Sequence, residues 1–354
     1  MDIDEDSLKQ LELREAEKMW VTLQPFLLGK GYRLRPRYDP AWQPPWLREK
    51  NENYVAPRDT EESLVVFQRI TLDAVRLKDN QKVVLKRVRT DTDEINLATL
   101  LSSAPMKEDP RNCAVPILDV LLIPADDEYA LLVMPFLAHV HCLPFRFLGE
   151  FCEFALQASE GLEFLHEHNI AHRDIGPLNI MMDITRMVPK GVHFRAPHTH
   201  DGVSFEFEWK TRWSVRPVKY YIIDFGHSQQ YSNKQDALML GLWGQVQAPE
   251  LSEKESFNPF CLDIYVLGTV FRQIIEEYDG LGDFIKLVDN MTRPDPKARP
   301  SAAEAVAGCR KIIEEVKKQR RLRKRVWQTV VGGMPVSLSF IEKFAIRCGW
   351  NPPM

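Results

Sequence analysis

Residues 171–183 read Ala-His-Arg-Asp-Ile-Gly-Pro-Leu-Asn-Ile-Met-Met-Asp, and this stretch decides the fold of the chain. It places the carboxylate of Asp174 directly after a His-Arg pair, and four residues separate Asp174 from the amide of Asn179. An apolar run follows the amide. Carboxylate and amide oxygens are hard ligands that suit Mg²⁺. The stretch is therefore a candidate active-site loop.

Two further motifs follow this loop in a fixed order. Asp224-Phe225-Gly226 comes directly after an apolar strand, and Ala248-Pro249-Glu250 comes later in the chain. Three ordered motifs are far more specific than any one of them alone. Together they resemble the protein kinase domain of the eukaryotic type in a divergent form, loosely similar to the kinase-like proteins of fungi. The resemblance implies an α+β, bilobal fold with a small five-stranded antiparallel N-lobe and a mostly helical C-lobe.

The resemblance also implies ATP and Mg²⁺ as cofactors and a lysine that binds the nucleotide. Lys86 ends a Val-Leu-Lys sequence that is similar to the kinase strand whose lysine holds the α- and β-phosphates. An ordinary strand lysine has the same local sequence, so this assignment depends on its order relative to the later motifs. Glu94, in a predicted helix, is the expected partner of Lys86, and Asp93 is the alternative partner.

By the same resemblance, three residues carry the chemistry of phosphate transfer. Asp174 is expected to accept the proton of the substrate hydroxyl. Asp224 is expected to bind the Mg²⁺ that bridges the phosphates, and Asn179 is expected to hold a second metal ion.

The hinge that faces adenine is expected after the strand that ends near Met134. Met134 corresponds to the gatekeeper position, and Pro135, Phe136 and Leu137 follow it. Pro135 has no amide hydrogen to donate. The amide of Leu137 is therefore the expected donor to the base.

Two positions depart from the family's pattern. The segment 66–74, where the family has a glycine-rich phosphate loop, contains no glycine. Glycine lets backbone amides approach phosphate closely, so the phosphate lid is expected to differ. Gly176 stands where Ser/Thr kinases have a lysine that helps to neutralise the γ-phosphate. Loss of a charge aimed at the transition state costs on the order of 10²-fold in rate. Pro177, the next residue, fits the Ser/Thr pattern.

The leading hypothesis is an ATP- and Mg²⁺-dependent protein kinase of the Ser/Thr type that acts on a protein hydroxyl. The alternative is a pseudokinase, in which the same fold serves as a nucleotide-binding or scaffold module with little or no catalysis. A kinase of small molecules is disfavoured, because Ala248-Pro249-Glu250 and the helix that begins near Asp263 are typical of protein kinases. The sequence does not identify the protein substrate.

Two structural contacts also follow from the resemblance. Asp263 is expected to brace the catalytic loop, and Arg299 is expected to pair with Glu250.

Composition shifts and the motif positions predict the domain organisation. The kinase-like domain covers 63–308, and the 50 positions between Asp174 and Asp224 indicate an insertion at about 185–217. In chain order, the expected parts are an N-terminal helix and Pro/Trp-rich strap (1–62), an N-lobe (63–134), a hinge (135–138), a C-lobe (139–308), and a basic helix with a tail (309–354).

Apolar periodicity predicts the secondary structure of these parts. The predicted helices are 6–28, 92–101, 147–168 and 310–331. The predicted strands are 64–67, 71–77, 82–88, 114–122 and 129–134, and an alternating pattern at 203–209 predicts a hairpin.

The strap and the insertion each have two interpretations. Four prolines exclude a helix at 33–46, so this segment is predicted to be extended. It is either a ligand for a proline-recognising module or, as its Trp and Tyr residues favour, a strap packed on the N-lobe. The insertion contains His193, His198 and His200, which indicate either a metal site or, since no cysteine is near, an exposed loop.

Charge and composition limit the partners. The net charge of −4 gives no general attraction to nucleic acid. No apolar run reaches the length of a membrane span, and the acidic start Met1–Asp6 differs from a signal peptide. Six scattered cysteines are typical of a reducing compartment, so a cytoplasmic or nuclear protein is expected. The basic run 317–325 is either a nuclear import signal or a solvated helix face.

Overall fold

The computed structural model describes residues 13–44, 60–66, 70–204, 206–242, 244–331 and 334–335. The chain divides into two compact units. The first contains the chain up to Ile95, Pro116–Ala138 and Ile184–Trp209. The second contains Asn96–Val115, His139–Asp183 and the chain from Lys210 onward.

A five-stranded antiparallel sheet forms the centre of the first unit. Its strands are β1 (Tyr32–Arg33), β2 (Thr71–Arg76), β3 (Gln81–Arg89), β4 (Asp119–Leu122) and β5 (Tyr129–Pro135). The spatial order is β1-β2-β3-β5-β4. Side chains alternate along a strand, so the register separates two faces: Leu72 lies opposite Leu85, and Thr71 lies opposite Lys86.

Helix α1 (Glu15–Gly29) covers the face that carries Leu72 and Leu85. Its residues Trp20, Leu23 and Leu27 recur at helical spacing and join these strand residues in one buried cluster. Full burial of a side chain of this size contributes about 1.5–3 kcal/mol. The predicted helix 6–28 is thus present from Glu15 to Gly29, and residues 6–12 lie outside the described part of the chain.

The strap after β1 is fixed to α1 by a buried ion pair. Arg37 donates from Nε and from Nη2 to the two carboxylate oxygens of Glu17, at 2.9 and 3.0 Å. The hydroxyl of Tyr38 donates to the same carboxylate at 3.1 Å. The described part of the strap therefore packs on the sheet unit, as its aromatic content predicts, while residues 45–59 lie outside the described chain.

One predicted strand is wrong. Leu64, Val65 and Val66 have no strand pairing, and Phe67 lies outside the described residues. The backbone groups here bond to side chains instead: Arg195 donates to the carbonyl of Val65 at 3.0 Å, and the amide of Val66 donates to Glu17 at 3.4 Å. The place beside β2 is taken by β1, from the N-terminal extension.

The second unit is mainly helical. Helix α2 (Glu94–Leu101) begins in the first unit and continues in the second, and β6 (Ala138–His139) also spans the division. The remaining elements are α3 (Leu148–Glu167), β7 (Ile170–Ala171), β8 (Ile180–Met182), α4 (Arg212–Val215), β9 (Tyr220–Ile222), β10 (Gln229–Gln230), β11 (Met239–Gly241), β12 (Ser252–Phe257), α5 (Pro259–Glu277), β13 (Tyr278–Asp279), α6 (Ile285–Met291), α7 (Ala302–Lys318), β14 (Trp327–Gln328), β15 (Val330–Val331) and β16 (Met334–Pro335).

An aromatic core holds α3 against its neighbours. The ring of Phe151 contacts Phe271 of α5 at 6.2 Å and Phe284 at 5.0 Å, both edge to face. Beside this core, β8 and β9 pair antiparallel. The loop from His172 to Asn179 directly precedes β8, and Asp224 follows β9. The pairing of these two strands therefore brings the two motifs together.

One further prediction is wrong, and another is right only in part. Among the described residues of 203–209 there is no hairpin, because Asp201 accepts the amides of Val203 and Ser204 and makes a turn. The predicted tail helix begins at Ala302, where Ser301 and Glu304 cap each other, and ends at Lys318. No described helix has both the length and the apolar content to cross a membrane.

Candidate active site

In the first unit, Lys86 of β3 forms an ion pair with Glu94 of α2. Each side chain is 9% exposed. Burial of a lysine is costly unless a carboxylate offsets its charge, and Glu94, the expected partner, provides that carboxylate. The pair holds the ammonium group of Lys86 on the face of the sheet that also carries Thr71.

The expected hinge residues also lie in this unit. Met134 and Leu137 are both buried, at the end of β5 and just after it. The amide of Phe136 donates to the carbonyl of Lys82 at 3.3 Å, so this amide is engaged within the sheet. Because Pro135 has no amide hydrogen and the amide of Phe136 is engaged, the amide of Leu137 remains the candidate donor to adenine.

The part of the insertion up to Trp209 belongs to the first unit and packs beside the hinge residues. The ring of Phe194 meets Phe136 edge to face at 6.3 Å, and Lys82 donates to the carbonyl of Val192 at 2.9 Å. Lys82 and Lys86 share one face of β3 because they are four positions apart, and side chains of a strand return to the same face every second position. The insertion is therefore attached to the same sheet face that carries Lys86.

In the second unit, Asp263 braces the catalytic loop as the resemblance predicted. Its two oxygens accept the amides of His172 and Arg173 at 2.8 and 2.7 Å, and it also contacts Nε2 of His166 at 3.0 Å. Asp263 is fully buried. Arg173 has a φ of 69°, a backbone conformation that residues other than glycine rarely adopt. The brace therefore holds a strained backbone immediately before Asp174.

His172 joins the loop to the Asp-Phe-Gly motif. Its Nδ1 accepts the amide of Asp174 at 3.3 Å, so Nε2 carries the proton and donates to the carbonyl of Ile223 at 3.0 Å. Complete burial lowers the pKa of His172, which favours the neutral ring. The ring of Phe225 meets it edge to face at 5.2 Å.

The carboxylate of Asp174 accepts hydrogen bonds from two residues, Asn179 and Gln245. Asn179 donates from Nδ2 to its Oδ2 at 3.1 Å and to its carbonyl at 2.8 Å. Gln245 donates from its backbone amide to Oδ1 at 2.8 Å and from Nε2 to Oδ2 at 3.2 Å. The side chain of Asp174 is buried. Several donors hold a carboxylate in one orientation, which suits a group that is expected to accept the proton of a substrate hydroxyl.

Asp224 has a left-handed backbone with a φ of 65° and a ψ of 72°. Its side chain accepts the amide of Gly226 at 3.3 Å. Such strain at an aspartate costs of order 1–3 kcal/mol and occurs mainly at functional sites.

A comparison with protein families gives one decisive result. The family described as a protein kinase domain matches residues 71–282, which is more than half of the 354-residue chain. The chain belongs to the protein kinase family. No curated protein matches the chain by sequence. Among solved structures, it is similar to the autoinhibited serine kinase domain of the giant muscle protein titin, with 17% identity, a TM-score of 0.45, and coverage of 73% of this chain and 80% of that one.

The kinase domain has the α+β fold that the motifs implied, with an antiparallel N-lobe sheet and a helical C-lobe. Its closing motif is also in place. Arg299 donates from Nη2 to Glu250 at 2.8 Å, and the carboxylate's other oxygen accepts from Nη1. This bidentate pair is almost fully buried and is structural, because neither residue belongs to the catalytic loop.

The donor set of the kinase C-lobe fits Mg²⁺. The amide nitrogen of Asn179 is directed to Asp174, so its oxygen is the atom that a cation would meet. Asp224 would add a carboxylate oxygen, and Mg²⁺ characteristically takes one or two protein ligands and completes its shell with phosphates and water. Among the described residues, no group of three His, Cys, Asp or Glu residues forms a metal centre by itself.

Two of the three histidines of the insertion, His193 and His200, have hydrogen-bond partners within the protein, and no group of metal-binding residues forms among the described residues, which disfavours the metal interpretation. His193 contacts Glu61 at 3.0 Å. His200 donates from Nδ1 to the carbonyl of Gly191 at 2.6 Å and accepts the amide of Glu208 at 3.0 Å.

Sequence reasoning missed Gln245. No motif marks this residue, and it stands 71 positions from Asp174 in the chain. Its nearness to the Ala248-Pro249-Glu250 motif was the only signal that could have located it.

Proposed function

We propose that the chain is a protein kinase that transfers the γ-phosphate of ATP to a Ser or Thr hydroxyl of a protein, with Mg²⁺ as cofactor. Family membership supports the phosphotransferase class. The observation that carries the proposal is the hydrogen-bonded arrangement of Asp174 and Asn179 within the loop that Asp263 braces. A scaffold has no chemical need for that arrangement.

Each proposed residue has one task. Lys86, fixed by Glu94, would offset charge on the α- and β-phosphates, and Leu137 beside Met134 would offer its amide to adenine. Asn179 and Asp224 would hold Mg²⁺, which supplies positive charge to the phosphates. Asp174 would accept the proton of the attacking hydroxyl. Phosphoryl transfer depends mostly on such positioning and electrostatic stabilisation.

The second candidate is a pseudokinase that binds nucleotide without transfer. Two observations favour it: segment 66–74 contains no glycine, and Gln245 already bonds to both oxygens of Asp174. In this case Mg-ATP would bind at the same residues and remain intact.

A phosphate-acceptor screen tests the proposal. The protein would be incubated with Mg-ATP and separate panels of protein and small-molecule acceptors, followed by identification of the phosphorylated amino acid. We expect phosphoserine or phosphothreonine in proteins. Phosphotyrosine would contradict the Ser/Thr assignment, and labelled metabolites alone would contradict the protein substrate class. ATP binding with no labelled product would favour the pseudokinase.

A further inference from the structure

Gln245 contacts the catalytic loop at three points. Its backbone amide and Nε2 donate to the two carboxylate oxygens of Asp174, at 2.8 and 3.2 Å. Its Oε1 accepts the amide of Leu178 at 2.8 Å. The amide group is used at both ends, and only one orientation of it satisfies both contacts. A glutamate at this position would set a second carboxylate against Asp174. Of the two side-chain contacts it would keep only the one to Leu178, while the backbone amide would still face Oδ1 of Asp174.

Two glycines permit this arrangement, Gly176 by leaving space for Gln245 and Gly244 by its positive φ. A Cβ atom added at Gly176 would lie 2.8 Å from Cβ, Cδ and Oε1 of Gln245. Gly244 has a φ of 112°, and a Cβ added there would lie 3.4 Å from Oδ1 of Asp174. Any side chain at 176 would therefore displace Gln245. The lysine that Ser/Thr kinases have at this position would therefore require Gln245 to leave the place that it has here.

The contacts leave one place for a substrate hydroxyl. A carboxylate has two oxygens and about four acceptor positions. Three of them are used by the backbone amide and Nε2 of Gln245 and by Nδ2 of Asn179. Oδ2 takes two of these donors, so the remaining acceptor position lies on Oδ1. The direction in which Asp174 receives a proton is thus set jointly by Asn179 and Gln245.

We propose that Gln245 is a positioning residue for Asp174, and that Gly176 replaces a lysine in order to admit it. This inference depends on the proposed kinase function and adds a residue from the segment before Ala248-Pro249-Glu250 to it. Gln245 acts through Asp174 and does not itself take up the proton. A misplacement of about 1 Å at a reacting group costs about 10²-fold in rate, which gives the scale of the expected effect.

Matched variants of Gln245 test the proposal. Gln245→Met keeps the length of the side chain and removes both side-chain hydrogen bonds. Gln245→Glu keeps the acceptor for Leu178 and removes the side-chain donor to Oδ2 of Asp174, while the backbone amide of residue 245 is unchanged. Gln247→Met is the control, because Gln247 is an exposed glutamine two residues away that does not contact Asp174. Thermal unfolding of each variant would verify that it is folded.

The measurement is steady-state transfer of phosphate from Mg-ATP to a generic basic protein. We expect kcat to fall about 10- to 100-fold in Gln245→Met and at least as far in Gln245→Glu. The KM for ATP should stay within about twofold, since Gln245 contacts the catalytic loop rather than the nucleotide residues. Gln247→Met should behave as the native chain. An unchanged kcat would overturn the proposal. A raised kcat would also overturn it, because it would show that Gln245 blocks access of the substrate hydroxyl to Asp174.

Crystal structures of the same variants separate this inference from the kinase proposal. If the native chain transfers no phosphate, the proposed function fails, and the position of Asp174 still decides the role of Gln245. A rotated carboxylate of Asp174 in Gln245→Met and Gln245→Glu, but not in Gln247→Met, supports positioning. A carboxylate that superimposes on the native one in every variant overturns it.

Discussion

His193 of the insertion donates a hydrogen bond to Glu61 of the N-terminal extension, with Nε2 and Oε1 3.0 Å apart. Nδ1 of the same ring accepts the amides of Arg195 and Ala196, so the proton lies on Nε2. Burial by itself raises the pKa of Glu61, but the hydrogen bonds from His193 and Arg35 outweigh it and lower the pKa below its usual value. The two segments that lie outside the family's usual pattern are thus bonded to each other.

Loss of this hydrogen bond should destabilise the N-lobe. His193→Ala removes a nearly buried donor to a carboxylate, and a hydrogen bond to a charged group contributes about 1.5–3 kcal/mol. Urea unfolding would measure the loss. His198→Ala is the matched control, because His198 is an exposed histidine of the same segment. Equal midpoints for the two variants would contradict a structural role of the His193–Glu61 contact.

The Glu17–Arg37 pair should be among the most sensitive contacts of the strap. Both side chains are at most 1% exposed. Arg37→Met leaves the carboxylate of Glu17 buried without this cation, which costs about 3–5 kcal/mol. The double variant Glu17→Gln/Arg37→Met removes the buried charge and keeps an acceptor for Tyr38, so it should recover part of that loss in unfolding experiments. Glu15→Gln, at an exposed ion pair of the same helix, should have little effect. A double variant less stable than Arg37→Met would contradict this account.

Lys86 and Glu94 should have separable effects on stability and on transfer. Lys86→Met removes the cation that offsets the buried Glu94, so both stability and phosphate transfer should fall, the latter by at least about 10²-fold. Lys86→Met/Glu94→Leu should regain stability but not transfer. Thermal unfolding and ATP-dependent labelling measure the two properties. Recovery of transfer in the double variant would show that Lys86 does not act on the nucleotide.

Buried His172 should make the protein less stable in mild acid. Burial lowers the pKa of His172 in the folded state below that of the unfolded chain, which is about 6.5. Below pH 6.5 the unfolded state therefore binds a proton that the folded state does not. The free energy of unfolding falls by up to about 1.4 kcal/mol per pH unit, down to the folded pKa. His172→Gln should show a shallower fall between pH 7 and 5.5, and an identical slope would contradict this.

The motifs predicted the fold because they combine local geometry with chemistry. Asp174, Asn179 and Asp224 lie on short segments whose backbone is set by neighbouring strands, so their spacing is readable in the chain. Asp263 and Arg299 were predicted from similar sequence patterns, and both make the expected contacts.

The parts of the fold and of the site that were not predicted depend on contacts between segments far apart in the chain. The spacing of residues along the sequence does not reveal such contacts. The apolar run 64–66 has the pattern of a strand, but Glu17 and Arg195 satisfy its backbone groups. Gln245 is identified only by the hydrogen bonds that it makes to Asp174. The two-residue strand β1 is too short to leave a periodic pattern.

Transfer of labelled γ-phosphate from Mg-ATP tests the central claim most directly. The native chain and Asp174→Asn would each be incubated with labelled Mg-ATP, alone and with a generic basic protein. Asp174→Asn keeps the shape of the side chain and removes the base. We predict label in the protein or the acceptor with the native chain, and none with the variant. Equal absence of label from both, with Mg-ATP bound to the native chain, would contradict the kinase and establish the pseudokinase.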